Sequence, residues 1–203
     1  MSSKSSHEFL DVLLNRISKM KNVTDQCMEA CTEFSYEEVK KIKEEYDNYL
    51  KEQNLLDFDD MITNCLKLLN QNEIICKKYQ QMFQYILVDE FQDINRPQYE
   101  VIKLLTAPEN NIFAVGDEDQ TIYGFRGAYP DIMQQFLTDF PERKEIMLNE
   151  IYRSKMEIVR LAEKMISQNQ MRFVKEFHPI NNGGKIILSC FETRKEEEAQ
   201  MIK

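Results

Sequence analysis

YILVDEFQD, residues 85–93, is the stretch that decides how this chain folds. Tyr85, Ile86, Leu87 and Val88 form a short apolar run, partly β-branched and unbroken by polar residues. Such a run reads as a strand buried on both faces of a parallel sheet. Asp89 and Glu90 fall where that strand leaves the sheet. In open α/β sheets, ligands bind just beyond the carboxyl ends of the strands. Two adjacent carboxylates there repel each other unless a cation or a reacting water occupies the site. Nucleotide hydrolysis wants such a pair: Asp89 to hold magnesium, directly or through water, and Glu90 to polarise the attacking water. Taken alone, an Asp-Glu pair is more often a solvated acidic turn, so the rest of the chain has to decide.

Upstream, residues 1 to about 80 read as helices. Ser5 and Glu8 stand at capping-box spacing ahead of Phe9, Leu13, Ile17 and Met20, which recur at helical intervals. Ser35 and Glu38 repeat the box before Val39, Ile42, Tyr46 and Tyr49. Leu55-Leu56-Asp57 breaks that helix, and Phe58, Ile62, Leu66 and Leu69 form the next stripe. These stripes are helix-packing core and carry no chemistry.

Downstream the period changes. Asn95 and Pro97 open a helix that runs to about Leu105, with Val101, Leu104 and Leu105 apolar; proline suits a first turn. Asn110-Asn111 is a turn, and Ile112 to Val115 is a second short strand ending in Gly116-Asp117. Tyr129 to Phe140 reads as a helix, Ile146 to Leu148 as a third strand, and Ser154 to about Gln168 as a long helix capped by Ser154. Asn181-Asn182-Gly183-Gly184 is a flexible turn before a further strand, Lys185 to Cys190, and a last helix. Two βαβ units in sequence predict an α/β fold with a parallel sheet and right-handed crossovers.

Composition sets outer bounds. With 203 residues, 42% hydrophobic and 30% charged, the chain is globular rather than disordered. No apolar run approaches the roughly 20 residues needed to cross a bilayer, and MSSKSSHEF has no apolar signal core, so a cytoplasmic protein without a membrane partner is expected. Cys27, Cys31, Cys65, Cys76 and Cys190 are odd in number and lack a CxxC pair, which fits free thiols in a reducing compartment. The net charge of −9 argues against a whole surface that binds nucleic acid, though not against a local basic groove.

The second strand runs on into Gly116-Asp117-Glu118-Asp119-Gln120-Thr121-Ile122-Tyr123-Gly124-Phe125-Arg126-Gly127-Ala128. Gln120 lies just past that strand, beside the end of the first if the two are neighbours. A neutral amide there can touch a γ-phosphate or the attacking water without competing for magnesium. Tyr123 and Phe125, two apart, share a face in an extended segment and suit base stacking; burial in the core is the alternative. VDEFQD, GDEDQTIYGFRGA and Tyr152-Arg153-Ser154, in this order and spacing, resemble the superfamily 1 helicases of the UvrD/Rep/PcrA type. LLDFDDM, Leu55 to Met61, resembles the segment those enzymes carry shortly before the Asp-Glu strand. The resemblance covers about residue 36 to the end, the first 35 residues reading only as a generic helical region.

The resemblance implies a partial RecA-like (P-loop NTPase type) parallel sheet with flanking helices, preceded by an all-helical segment. It places a helical insertion at 1–80, the second half of a first RecA-like domain at 81–149 and the start of a second at 150–203. It implies ATP and Mg²⁺ as cofactors, with single-stranded DNA and duplex junctions as partners of the whole protein. Glu90, Gln120 and Arg153 are the implied catalytic residues, Arg153 as a finger on transition-state charge. Asp89 is implied for the metal, Tyr152 for stacking on adenine, and Arg126 for tying nucleotide to the DNA-contacting loop formed with Tyr123 and Phe125. Two positions depart from the family: Phe125 stands where tryptophan is frequent, and Ile151 where asparagine usually precedes the Tyr-Arg pair.

A phosphate cradle, G-x-x-x-x-G-K-[ST], is expected in such an enzyme. The five glycines are Gly116, Gly124, Gly127, Gly183 and Gly184, and none begins that pattern. The chain therefore reads as the middle of a 3′-to-5′ DNA helicase motor, a fragment or a natural truncation, inactive by itself. A helicase-nuclease subunit and a non-catalytic DNA- or partner-binding module are the rival readings. His7 and His178 match no site residue.

Overall fold

The computed structural model describes residues 6–22, 34–121, 131–169 and 172–201. These fall into two compact units, Met1–Arg143 and Lys144–Lys203.

The first unit starts with four helices: α1 (Ser6–Asn22), α2 (Tyr36–Glu52), α3 (Phe58–Gln71) and α4 (Glu73–Met82). Ser35 caps α2 in the expected box with Glu38. Leu13 and Ile17 of α1 pack on Val39 of α2, joined by Met20, Ile42 and Tyr46. The helical stripes are narrower than the sequence suggests. Tyr49 and Phe58 lie exposed, at 59% and 88%, because each sits at the edge of its helix stripe. The Ser5 cap lies outside the described residues.

LLDFDDM has a structural task that the sequence did not show. Asp57 caps α3 in a box with Asp60. Both carboxylates also bind Lys21 Nζ of α1, at 2.7 and 2.8 Å, and Asp47 of α2 lies 3.1 Å from it. Lys21 is almost wholly buried, with 4% of its side chain exposed. Next to it, buried Asn22 donates to Asp59 at 2.7 Å and accepts from Asn95 Nδ2 at 3.2 Å. One end of α1 thus holds α2, α3 and the start of the helix that follows the Asp-Glu strand.

That strand is β1 (Ile86–Val88), followed by a single 3₁₀ turn at Phe91–Asp93, α5 (Arg96–Thr106) and β2 (Ile112–Ala114). Asn95 and Gln98 form a capping box at the start of α5, with Pro97 in its first turn. The strands pair in parallel, Ile86 with Ile112 and Val88 with Ala114. A second 3₁₀ turn, Glu118–Gln120, precedes α6 (Ile132–Asp139).

Phe91, Tyr99 and Ile132 form the core under one face of this pair, with Val88, Ala114 and Phe136 against them. Among the described residues nothing covers the other face, which corrects the expectation of a strand buried on both sides. Leu87 is 74% and Phe113 58% exposed, because side chains alternate across a strand and the described helices cover only one face.

The second unit holds β3 (Glu150–Lys155), α7 (Met156–Ile166), β4 (His178–Asn181) and α8 (Arg194–Met201). β3 and β4 are again parallel. Two strand assignments shift. Ile146–Leu148 is irregular and β3 begins at Glu150; Lys185–Cys190 is irregular and β4 ends at Asn181. In both cases the apolar run has no partner strand among the described residues, and Leu188 is 96% exposed. Ser154 does not cap α7, because β3 carries it as far as Lys155, which is the N-cap without a side-chain bond. Gly183 and Gly184 hold positive φ after β4. Among the described residues no helix is long and apolar enough to cross a membrane.

Candidate functional site

Parallel pairing brings the carboxyl ends of β1 and β2 to one edge. The Val115 amide donates to the Val88 carbonyl at 2.8 Å, and the Phe91 amide to the Val115 carbonyl at 2.9 Å. Asp89-Glu90 and Gly116-Asp117 therefore leave the sheet side by side. Asp89 and Glu90 are both exposed. Asp89 Oδ1 accepts the Glu90 amide at 3.0 Å. Exposed carboxylate oxygens are the donors that Mg²⁺ takes, with water completing its shell, so this edge fits the ion.

Glu90 has φ 48° and ψ 45°, in the left-handed region. For a residue with a Cβ this costs on the order of 1–3 kcal/mol and persists only where the surroundings impose it. The turn supplies that constraint: the Asp93 amide donates to the Glu90 carbonyl at 2.9 Å, closing the 3₁₀ turn. The twist turns the chain from the strand into α5 and carries the Glu90 side chain toward the β2 loop.

Gln92, which the sequence reading left without a role, lies between the two loops. It is 2% exposed. Its Nε2 donates to Glu90 Oε2 at 2.8 Å, and its Oε1 accepts the Asp117 amide at 3.0 Å. Asp117 Oδ2 in turn accepts from Gln120 Nε2 at 2.8 Å. Glu90 and Gln120, named from sequence, are thus joined through Gln92 and Asp117. Buried glutamine is uncommon, and among the polar residues of DEFQD neither periodicity nor composition marks Gln92 as the buried one. Gln120 is itself exposed. Tyr123, Phe125 and Arg126 lie outside the described residues.

In the second unit, Tyr152 and Arg153 are both exposed although they are neighbours on β3. A regular strand would turn one of them inward. The pairing with β4 is irregular between Ile151 and Lys155, and such irregularities re-aim side chains. The Tyr152 hydroxyl donates to the Glu150 carboxylate, which raises its pKa above the ordinary phenol value. Asn181 Nδ2 holds the Tyr152 carbonyl at 2.6 Å. Ile151 is half-buried and pairs with Pro179, an inward position that suits an apolar side chain.

Comparison with known proteins gives a consistent family. The profile of the UvrD/REP helicase N-terminal domain matches residues 3–141. The likeness therefore begins well before residue 36, where the motifs alone had placed its start. ATP-dependent DNA helicase Rep of Buchnera aphidicola is 42% identical over 154 residues, covering 75% of this chain and 23% of that protein. ATP-dependent DNA helicase PcrA of Staphylococcus epidermidis is 35% identical over 194 residues, 96% of this chain and 26% of that protein. PcrA of Staphylococcus aureus is 34% identical over the same length. The chain spans about a quarter of the length of the relatives it matches.

Proposed function

Because the chain belongs to the UvrD/REP helicase family, we propose that it is the central part of an ATP-dependent DNA helicase that moves 3′ to 5′ along single strands. In this reading residues 1–80 are the helical insertion, 81–149 the second half of a first RecA-like domain, and 150–203 the start of a second. The bonded series Glu90–Gln92–Asp117–Gln120 at the carboxyl ends of two parallel strands is the observation that carries it. Asp89 would hold Mg²⁺, which when bound offsets phosphate charge. Glu90 orients and takes a proton from the attacking water, while Gln120 senses the γ-phosphate. Tyr152 stacks on the base and Arg153 meets the charge that builds in the transition state. Tyr123, Phe125 and Arg126 hold single-stranded DNA, the last also linking it to nucleotide. The whole enzyme acts on single strands and duplex junctions in the cytoplasm.

Hydrolysis also needs phosphate-binding amides and a lysine, and G-x-x-x-x-G-K-[ST] does not occur here. The cradle is proposed to come from the rest of the protein, so the 203-residue chain by itself should not turn over ATP. The test is Glu90→Gln in the complete enzyme. DNA-stimulated hydrolysis should vanish while ATP still binds, because the amide keeps the shape and loses the basicity. Hydrolysis at the wild-type rate would remove Glu90 from the mechanism and this reading with it.

A further inference from the structure

We propose that Gln92 is a positioning residue that fixes the Glu90 carboxylate and the Gly116–Gln120 loop to each other, so that both reach the nucleotide together. This rests on the assignment of Glu90 above.

Three observations support it. Gln92 is buried, and its amide uses both ends: Nε2 to Glu90 Oε2 at 2.8 Å and Oε1 from the Asp117 amide at 3.0 Å. A side chain at 92 has to be both donor and acceptor on one planar group of this length, which glutamine supplies. Glutamate would keep the bond from Asp117 and lose the donor toward Glu90; methionine would lose both.

Gly116 supplies the second observation. A Cβ there would lie 2.8 Å from Gln92 Oε1 and 3.2 Å from both the Gln92 amide nitrogen and Phe91 Cβ. The loop has to lie against Gln92 this closely, and only glycine permits it. The third is the Glu90 backbone. The Asp93 amide closes its left-handed turn on the Glu90 carbonyl, and the bond from Gln92 then holds the Glu90 carboxylate that this turn presents.

Because Asp117 also holds Gln120, a shift of the β2 loop carries both the γ-phosphate sensor and, through Gln92, the water-activating carboxylate. Gln92 touches no substrate in this arrangement; it acts through Glu90 and Asp117.

The experiment uses the complete enzyme with Gln92→Glu, Gln92→Met and Gly116→Ala, and Glu90→Gln alongside. Loss of an orienting partner typically lowers activity by about 10–100-fold. DNA-stimulated kcat should fall by that factor in Gln92→Glu. KM for ATP, and the affinity for a fluorescent non-hydrolysable ATP analogue, should stay within about threefold of wild type, since the ground-state contacts remain. Gly116→Ala should reproduce the kcat loss without changing either carboxylate. Wild-type kcat in Gln92→Glu, or equal losses of kcat and analogue binding in both Gln92→Glu and Gly116→Ala, would overturn the proposal. Gln92→Glu is isosteric and keeps one bond, so it serves if Gln92→Met does not fold. Inactive Glu90→Gln with wild-type Gln92→Glu would remove this inference and leave the function standing; active Glu90→Gln would remove the function itself.

Discussion

Lys21→Met should unfold the helical part of the first unit far more than a typical point change, and should reverse its response to acid. Lys21 Nζ lies 2.7, 2.8 and 3.1 Å from Asp57, Asp60 and Asp47, with 4% of its side chain exposed. Removing one partner of a buried ionic cluster costs about 3–5 kcal/mol, since the remaining charges are left uncompensated. Here three carboxylates would face one another. For a unit of 143 residues this corresponds to a melting point lower by roughly 10–15 °C. Burial opposes the lysine charge, yet its hydrogen bonds to Asp57, Asp60 and Asp47 outweigh it and raise the pKa well above the ordinary value. Its contribution is therefore complete below about pH 10.4 and is lost only as pH rises through the higher folded value. Burial likewise opposes the Asp57 charge, and bonds from Lys21 and the Asp60 amide overcome it to hold its pKa low. Its contribution is present above about pH 4 and is lost as pH falls through the folded value. The wild-type melting point should hence fall on acidification below about pH 4. In Lys21→Met the first proton relieves repulsion among the acids, so the melting point should rise rather than fall on mild acidification. Adding Asp57→Asn should recover part of the loss at neutral pH, because asparagine still caps α3. Differential scanning calorimetry across pH decides it. A loss below about 1 kcal/mol, with the wild-type acid slope retained, would mean that the cluster is solvated and the argument from burial is wrong.

Arg153→Ala in the complete enzyme should lower the hydrolysis rate by about 10³-fold or more with little loss of ATP affinity, as for a group that meets transition-state charge. Stopped-flow turnover and equilibrium binding separate this from a ground-state contact, which would weaken both equally. Tyr99→Phe should cost about 1–2 kcal/mol by urea unfolding, because the buried Tyr99 hydroxyl donates to Asp139 at 2.8 Å and ties α5 to α6. An unchanged midpoint would show that Lys103, 2.9 Å from Asp139, holds that carboxylate by itself.

Local signals made some of this fold legible and non-local ones did not. The start of α5 was readable because Asn95 and Pro97 carry their own geometry, whatever surrounds them. β1 and β2 were readable as strands from Ile86–Val88 and Ile112–Ala114, but not their one-sided burial, since an unbroken apolar run has no outward marker at Leu87 or Phe113. β3 was missed for the opposite reason. Its residues, Glu-Ile-Tyr-Arg-Ser-Lys, are mostly polar, and pairing with β4 far along the chain makes them a strand. The ties of Asp57, Asp59 and Asp60 to Lys21 and Asn22 span more than thirty residues, so no window of the sequence could reveal them. Of the candidate site, the exposed groups Asp89, Glu90, Gln120, Tyr152 and Arg153 were legible, whereas Gln92 was not. Its partners sit on both sides of the sheet edge, and only the parallel pairing brings them together.

The two units expose their candidate residues by the same physical means. A regular strand presents side chains alternately, so it cannot offer two neighbours to one ligand. In the first unit the chain breaks the rule at Glu90, whose left-handed backbone turns it away from the line of β1 beside Asp89. In the second it breaks the rule through the irregular pairing between Ile151 and Lys155, which leaves Tyr152 and Arg153 both outward. Each irregularity has a hydrogen bond to its backbone carbonyl, from the Asp93 amide at Glu90 and from the Asn181 side chain at Tyr152, and Gln92 adds a bond to the Glu90 carboxylate. Exposed functional groups on long side chains would otherwise sample many rotamers and lose the orientation that catalysis needs. Fixing the backbone beneath them restores that orientation while leaving the groups themselves accessible. This explains why the residues proposed to meet nucleotide are exposed, whereas Gln92, which aims one of them, lies in the core.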